Sequence, residues 1–192
     1  MTKLLGLDAS TQEIGYSIWN KDSYELIELF HWTVPNKDTL LEKVLAVENW
    51  LKTDILVKHP EIDEVVIEEA FVAMFGGNSS SKTTATLQQA NFGYQLICWK
   101  IGLKTATITV NEARKNAFPL AVMKKNTGIK QKEQMFMYVL AELGENYFPT
   151  RIVSKGKNKG ETVYEPWSYD MSDSYITGAG YINKVLKKIK RK

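Results

Sequence analysis

Val65-Val66-Ile67 is a β-branched run that ends on Glu68, and it lies between two stretches of helical period. Upstream, Leu41, Val44, Leu45, Val47, Leu51 and Ile55 recur at helical spacing from Asp38, an N-cap residue type, to about Val57, where His59-Pro60 stops the helix. Downstream, a second helix is expected from about Lys82 to Ile101. A short apolar strand flanked by helices must be covered on both faces, which places it inside a sheet with helices above and below. Glu68 then stands at the carboxyl end of a buried strand, where ligands of open α/β sheets gather.

The rest of the chain extends this pattern. Lys3 to Leu7 and Gly15 to Trp19 are apolar runs separated by the turn composition Asp8-Ala9-Ser10-Thr11, and they read as a hairpin. Tyr24 to Thr33 reads as a third strand and Lys104 to Val110 as another, with Asn111 placed to cap a short helix. Gly128 to Leu143 and about Asp170 to Lys190 read as helices. Gly76 to Ser81 and Ser154 to Gly160 read as loops, the second one basic and exposed. The expectation is one domain over residues 1–192: an α/β fold with a mixed sheet of about five strands flanked by helices.

Composition narrows the chemistry. One cysteine and two histidines supply neither a disulfide nor a Cys/His zinc cluster, so any catalysis must use carboxylates, hydroxyls or lysines. No apolar run approaches the roughly 20 residues of a membrane span, and the N-terminus has no signal-peptide pattern. A cytoplasmic protein in a reducing compartment is expected. Residues 1–99 carry 7 Lys/Arg against 14 Asp/Glu, residues 100–160 carry 12 against 4, and residues 161–192 carry 6 against 4. A cationic section of that kind suits either a polyanion or simple solvation.

Asp170 and Asp173 are three apart on a helix, so their carboxylates share a face and repel. Either the pair belongs to a first turn favoured by the macrodipole, or a cation compensates it. Asp8 and Glu68 each follow a buried apolar strand. If those strands are neighbours and the last helix packs beside them, four carboxylates converge. An oxygen-only donor set suits Mg²⁺ or Mn²⁺, and two such ions about 3.5–4 Å apart would serve phosphodiester hydrolysis.

Leu5-Gly6-Leu7-Asp8-Ala9-Ser10 with Gly15-Tyr16-Ser17, Val66-Ile67-Glu68-Glu69-Ala70-Phe71, and Asp170-Met171-Ser172-Asp173-Ser174 together resemble the RuvC family of Holliday-junction resolvases. The resemblance implies a ribonuclease H-like fold and a homodimeric, Mg²⁺-dependent endonuclease, with two ions per site and Mn²⁺ able to substitute. Its substrate would be four-way junctions and other branched DNA, cut by paired symmetric nicks. It further implies that Asp8, Glu68, Asp170 and Asp173 bind metal, that Lys132 in Gly128-Ile129-Lys130-Gln131-Lys132 is the active-site lysine, and that Phe71 stacks on bases. Lys132 is otherwise a surface lysine and Phe71 a core residue. Two departures stand out: Ala9-Ser10 replaces the usual Pro-Gly, and the basic loop with the segment up to Trp167 is longer than in bacterial members.

For DNA phosphates the candidates are Arg114, Lys115, Lys124, Lys125, Lys130, Lys155, Lys157 and Lys159, with the basic C-terminus as a further arm. The helix from about Lys82 to Ile101 carries one stripe at Leu87, Leu96, Phe92 and Trp99 and another at Ala90, Gly93 and Ile97. One faces the sheet, and the other faces either its own chain or a second subunit. Two rival functions fit parts of this pattern: a catalytically silent branched-DNA-binding protein and a fragment of an actin- or sugar-kinase-like ATPase. Gly76 to Thr83 is not a phosphate-binding loop, because Ser81 replaces the glycine required before Lys82.

Overall fold

The computed structural model describes residues 2–69, 81–121 and 128–186. Five strands form one mixed sheet in the order β3-β2-β1-β4-β5: β1 (Lys3–Ala9), β2 (Glu13–Asn20), β3 (Leu26–Thr33), β4 (Ile62–Glu68) and β5 (Lys104–Ile108). β1 to β3 are antiparallel neighbours, whereas β4 runs parallel to both β1 and β5. β1 and β4 occupy the middle and are buried on both faces, which is why their sequences read as continuous apolar runs rather than alternations.

One face is covered by α1 (Leu40–Trp50) and α3 (Ser81–Lys100), which pack Val47, Tyr94, Ile97 and Cys98 against Leu5, Leu7 and Ile67. α1 continues into a π-helical turn, Leu51–Ile55, and the short α2 (Leu56–Lys58). The other face carries α4 (Val110–Ala117), α5 (Gln131–Leu143) and α6 (Ser168–Tyr181), whose Ala113, Met135, Phe136, Met171, Tyr175 and Ile176 enclose Leu4, Trp19 and Val66. Between α5 and α6 a separate hairpin is formed by β6 (Thr150–Ile152) and β7 (Thr162–Tyr164).

Several boundaries differ from the sequence reading. Thr39, not Asp38, caps α1, because Thr39 and Glu42 form a reciprocal capping box: Glu42 N donates to Thr39 Oγ1 at 3.2 Å and Thr39 N donates to Glu42 Oε2 at 3.0 Å. Thr109, not Asn111, caps α4. β3 begins at Leu26 because Tyr24, with φ 66°, belongs to the preceding turn. α5 starts at Gln131, and α6 starts at Ser168, before its first aspartate. After Tyr181 the last helix becomes a π-helical turn, Ile182–Leu186. The basic segment Ser154 to Gly160 is the tip of the β6–β7 hairpin, whose three-residue strands are too short to show a period in sequence. The expected Gly76 loop and the basic C-terminus lie outside the described residues.

Candidate active site

The carboxyl ends of the two central strands meet at one rim of the sheet. Leu7 of β1 is in register with Ile67 of β4, so Asp8 and Glu68, one step further, leave neighbouring parallel strands side by side. α6 closes the site from one face. Its approach depends on Gly15, the β2 partner of Asp8: a Cβ at Gly15 would lie 1.9 Å from the Asp170 carbonyl oxygen. The missing side chain lets the first turn of α6 rest directly on β2. Further along, Gly178 packs against the Trp19 indole, and the Ser17 hydroxyl donates to Ser174 O at 2.8 Å. These contacts fix the helix so that Asp170 and Asp173 face Asp8.

Two cations complete the cluster. Lys132, in the first turn of α5, places Nζ 3.0 Å from Asp170 Oδ1 and 2.9 Å from Asp173 Oδ2. Arg114 of α4 places Nη2 3.9 Å from Asp173 Oδ1. Thr177, one helical turn beyond Asp173, donates from Oγ1 to Glu68 Oε2 over 3.5 Å. On the opposite face, buried Asn91 of α3 donates from Nδ2 to the Glu68 carbonyl at 2.7 Å and is held by Gln95, whose Nε2 donates to Asn91 Oδ1 at 2.7 Å.

The electrostatics are those of an acidic site only partly neutralised. Burial, followed by the Glu68 and Asp173 carboxylates, pushes the Asp8 carboxyl well above the usual carboxylate range, against the pull of Lys132. Burial and Asp173 push Glu68 up to about 7, with Arg114, Lys132 and Thr177 acting the other way. Burial also raises Asp173, although Lys132 and Arg114 oppose it. Burial disfavours the Lys132 ammonium, yet Asp173, Asp8 and Asp170 outweigh it and hold the amine more firmly protonated.

Among the described residues no three His, Cys, Asp or Glu side chains stand close enough to enclose a metal ion. The ammonium of Lys132 instead bridges Asp170 and Asp173. The donor set nevertheless fits a hard divalent cation. It consists of oxygen donors alone, from three elements, and two of its acids, Asp8 and Glu68, are raised partly by the other carboxylates. Positive charge added there would relieve the repulsion.

Asp8, Glu68, Asp170, Asp173 and Lys132 thus lie at one rim of the sheet within electrostatic reach of one another, with the acids wider apart than an ion's ligands would be. Arg114, expected on a DNA-facing surface, is turned inward to Asp173, with only 17% of its side chain exposed. Lys115 and Lys130 are exposed; Lys115 lines a depression of about 200 Å³ with Arg114, Phe118 and Gln131, and Lys130 borders another with Lys132. Lys155, Lys157 and Lys159 are exposed on the hairpin tip. Phe71, Lys124 and Lys125 lie outside the described residues. Gly15, Thr177 and Asn91 were not singled out as functional. Thr177 carried a legible signal, four residues after Asp173 and so on the same helical face.

No protein-family description and no curated protein matches the chain by sequence. Solved structures do. Thermus thermophilus RuvC in complex with a Holliday junction substrate superposes with a TM-score of 0.59 at 13% identity, over 97% of this chain and 98% of that one. A second Thermus thermophilus RuvC structure gives 0.56 at 14% identity, over 94% and 95%. The chain has the fold of RuvC. The yeast mitochondrial Holliday junction resolvase Ydc2 matches at 0.55 with 10% identity, over 99% of this chain and 82% of that one. At such identities the RuvC-type backbone is what is shared, and the side-chain cluster must argue for itself.

Proposed function

We propose that the chain is a divalent-metal-dependent, structure-selective endonuclease that resolves four-way DNA junctions, and other branched DNA, by paired nicks. The observation that carries this reading is the meeting of Asp8 and Glu68, at the carboxyl ends of the central strands, with Asp170 and Asp173 of α6 around the Lys132 ammonium. These four acids would hold two Mg²⁺ ions, with Mn²⁺ able to substitute, and the bound ions supply activation of water and stabilisation of the leaving oxygen. The chain's own contribution is positional. Glu68 and Asp8 present their oxygens from rigid strands, and α6 fixes Asp170 and Asp173 opposite them. Lys132 offsets charge that builds on the scissile phosphate, and Arg114 adds a second positive group beside it. Exposed Lys115 and Lys130 border the approach and suit phosphate contacts of little sequence preference.

Paired nicks require two sites related by symmetry. Phe92, Leu96 and Trp99 lie on one face of α3 and are 67%, 50% and 72% exposed, while Ala90, Tyr94 and Ile97 bury the opposite face in their own chain. A second copy packed on that stripe makes a two-fold dimer, matching a two-fold branched substrate. Among the described residues no helix is long and apolar enough to cross a membrane.

The test is a cleavage gel with four-way, three-way and linear duplex DNA, in Mg²⁺ and in chelator. Nicking confined to branched DNA with Mg²⁺ is expected, and Asp8→Asn and Asp173→Asn are expected to abolish it while junction binding persists. Binding without nicking by the wild-type protein would leave a silent DNA-binding protein, and ATP hydrolysis without DNA would favour the kinase-like rival.

A further inference from the structure

The β6–β7 hairpin plays no part in holding the acid cluster, yet its root is built into the same end of the molecule. Phe148, just before the hairpin, and Tyr164, the last residue of β7, both pack edge-on against Phe136 of α5, each with ring centroids 4.9 Å apart. Glu165 N donates to Pro149 O at 2.9 Å, Arg151 pairs with Glu165 at 3.2 Å, and the Ser168 hydroxyl reaches Pro149 O at 3.3 Å. The root is therefore tied to the start of α6, two residues before Asp170. The tip is held as well. Val153 N donates to Glu161 O at 2.9 Å, Gly160 N to Val153 O at 2.8 Å and Lys159 N to Gly156 O at 3.2 Å, with Gly156 and Gly160 at φ 87° and 90°.

On this braced turn every residue from Ser154 to Gly160 is polar or glycine, and Lys155, Lys157 and Lys159 are exposed with no carboxylate partner among the described residues. An apolar protein surface has nothing to bury there. A row of phosphates does, because three ammonium groups on a narrow two-stranded ribbon match the charge and width of a DNA groove.

We propose that the hairpin is a clamp on one duplex arm of the branched DNA, its three lysines meeting backbone phosphates within one helical turn of the phosphate at the acid cluster. The proposal rests on the nuclease reading above. Its reach follows from the chain: eight residues from Thr150 to Lys157 span at most about 25 Å at roughly 3.3 Å each. That length corresponds to about seven base pairs at roughly 3.4 Å each. With the hairpin extended along the arm its lysines meet phosphates towards the far end of that reach, and an arm of about four base pairs stops short of them.

The experiment compares the full chain with the Lys155→Ser, Lys157→Ser, Lys159→Ser triple variant on junctions whose arms are about 4 or about 15 base pairs long, measuring affinity against salt in chelator. Unchanged thermal melting checks that the variant is folded. The triple variant is expected to lower the salt slope by about 2.7 on long arms, near 0.9 for each lost phosphate contact, and to leave the short-arm slope at its wild-type value. A slope equal to wild type on long arms, or an equal loss on both lengths, overturns the clamp. If wild-type protein nicks no branched DNA, the nuclease reading falls on that separate result, while the arm-length comparison still decides the hairpin.

Discussion

Gly15→Ala tests whether the seat of α6 on β2 places the acids. The new Cβ would stand 1.9 Å from Asp170 O, 2.3 Å from Asp170 C and 2.8 Å from Met171 N. Ordinary contact begins at 3.4 Å, so backbone must separate by about 1.5 Å, and no rotamer can absorb the clash because every opposing atom is main chain. Overpacking of this kind costs about 1–3 kcal/mol, which in a chain of this size lowers the melting temperature by roughly 3–10 °C. The chemical effect is larger. Asp170 and Asp173 ride on the displaced turn, and a misplacement of about 1 Å reduces rate by about 10²-fold. The assay is single-turnover nicking of a four-way junction with Mg²⁺, alongside junction affinity in chelator and a thermal melt. A fall of about 10²-fold or more in nicking, with binding retained, is expected. Nicking within about threefold of wild type, with an unchanged melt, would show that the close approach at Gly15 is not what sets the site.

Glu68→Gln should trade function for stability. The folded carboxyl titrates at about 7, above its ordinary value of 4.5, so folding loses stability as pH rises from about 4.5 to about 7. In chelator the variant should therefore melt above wild type at pH 8 and not at pH 5, with nicking abolished. Mg²⁺ should narrow the gap by raising wild type alone, and identical melts at pH 8 would contradict the burial cost. Lys132→Gln removes the partner at 3.0 Å from Asp170 and 2.9 Å from Asp173. Its nicking rate should fall about 10²-fold, the scale of losing one preorganised charge-stabilising donor. Phe92→Glu combined with Trp99→Glu should sediment as a monomer with little change in melting, since both side chains are largely exposed in the single chain. Nicks on the two strands should then become independent, and a dimer of unaltered mass would remove α3 from the interface.

The sheet was legible because burial on both faces leaves a plain trace. Val65-Val66-Ile67 and Lys3 to Leu7 are apolar without alternation, and that property also placed Asp8 and Glu68 at the rim. The spacing of Asp170 and Asp173 marked them as a pair but left a first-turn pattern as an alternative, and the metal role was only implied by the resemblance. The pairing of Arg114 with Asp173 left no trace, because a basic residue on a short helix looks the same whether it faces phosphate or an aspartate, and only the packing of α4 beside α6 shows the second partner. Asn91 had no trace at all, since its partner is a main-chain oxygen 23 residues away in sequence, and main-chain partners are invisible in side-chain patterns. Thr39 and Thr109 won the caps over Asp38 and Asn111 through hydroxyl geometry that composition does not separate. The hairpin escaped for want of length.

The order of the strands has a consequence for biosynthesis. Asp8 and Glu68 are translated early, and β1 can pair with β4 soon afterwards, but Asp170 and Asp173 arrive only on α6. A nascent polypeptide on the ribosome thus holds half of the acid set and no complete centre. On the proposed nuclease reading, the acid set is complete only once α6 docks against β2, after the rest of the scaffold exists to restrain it. A backbone break anywhere between Glu68 and Asp170 divides the set again, leaving two acids on each piece.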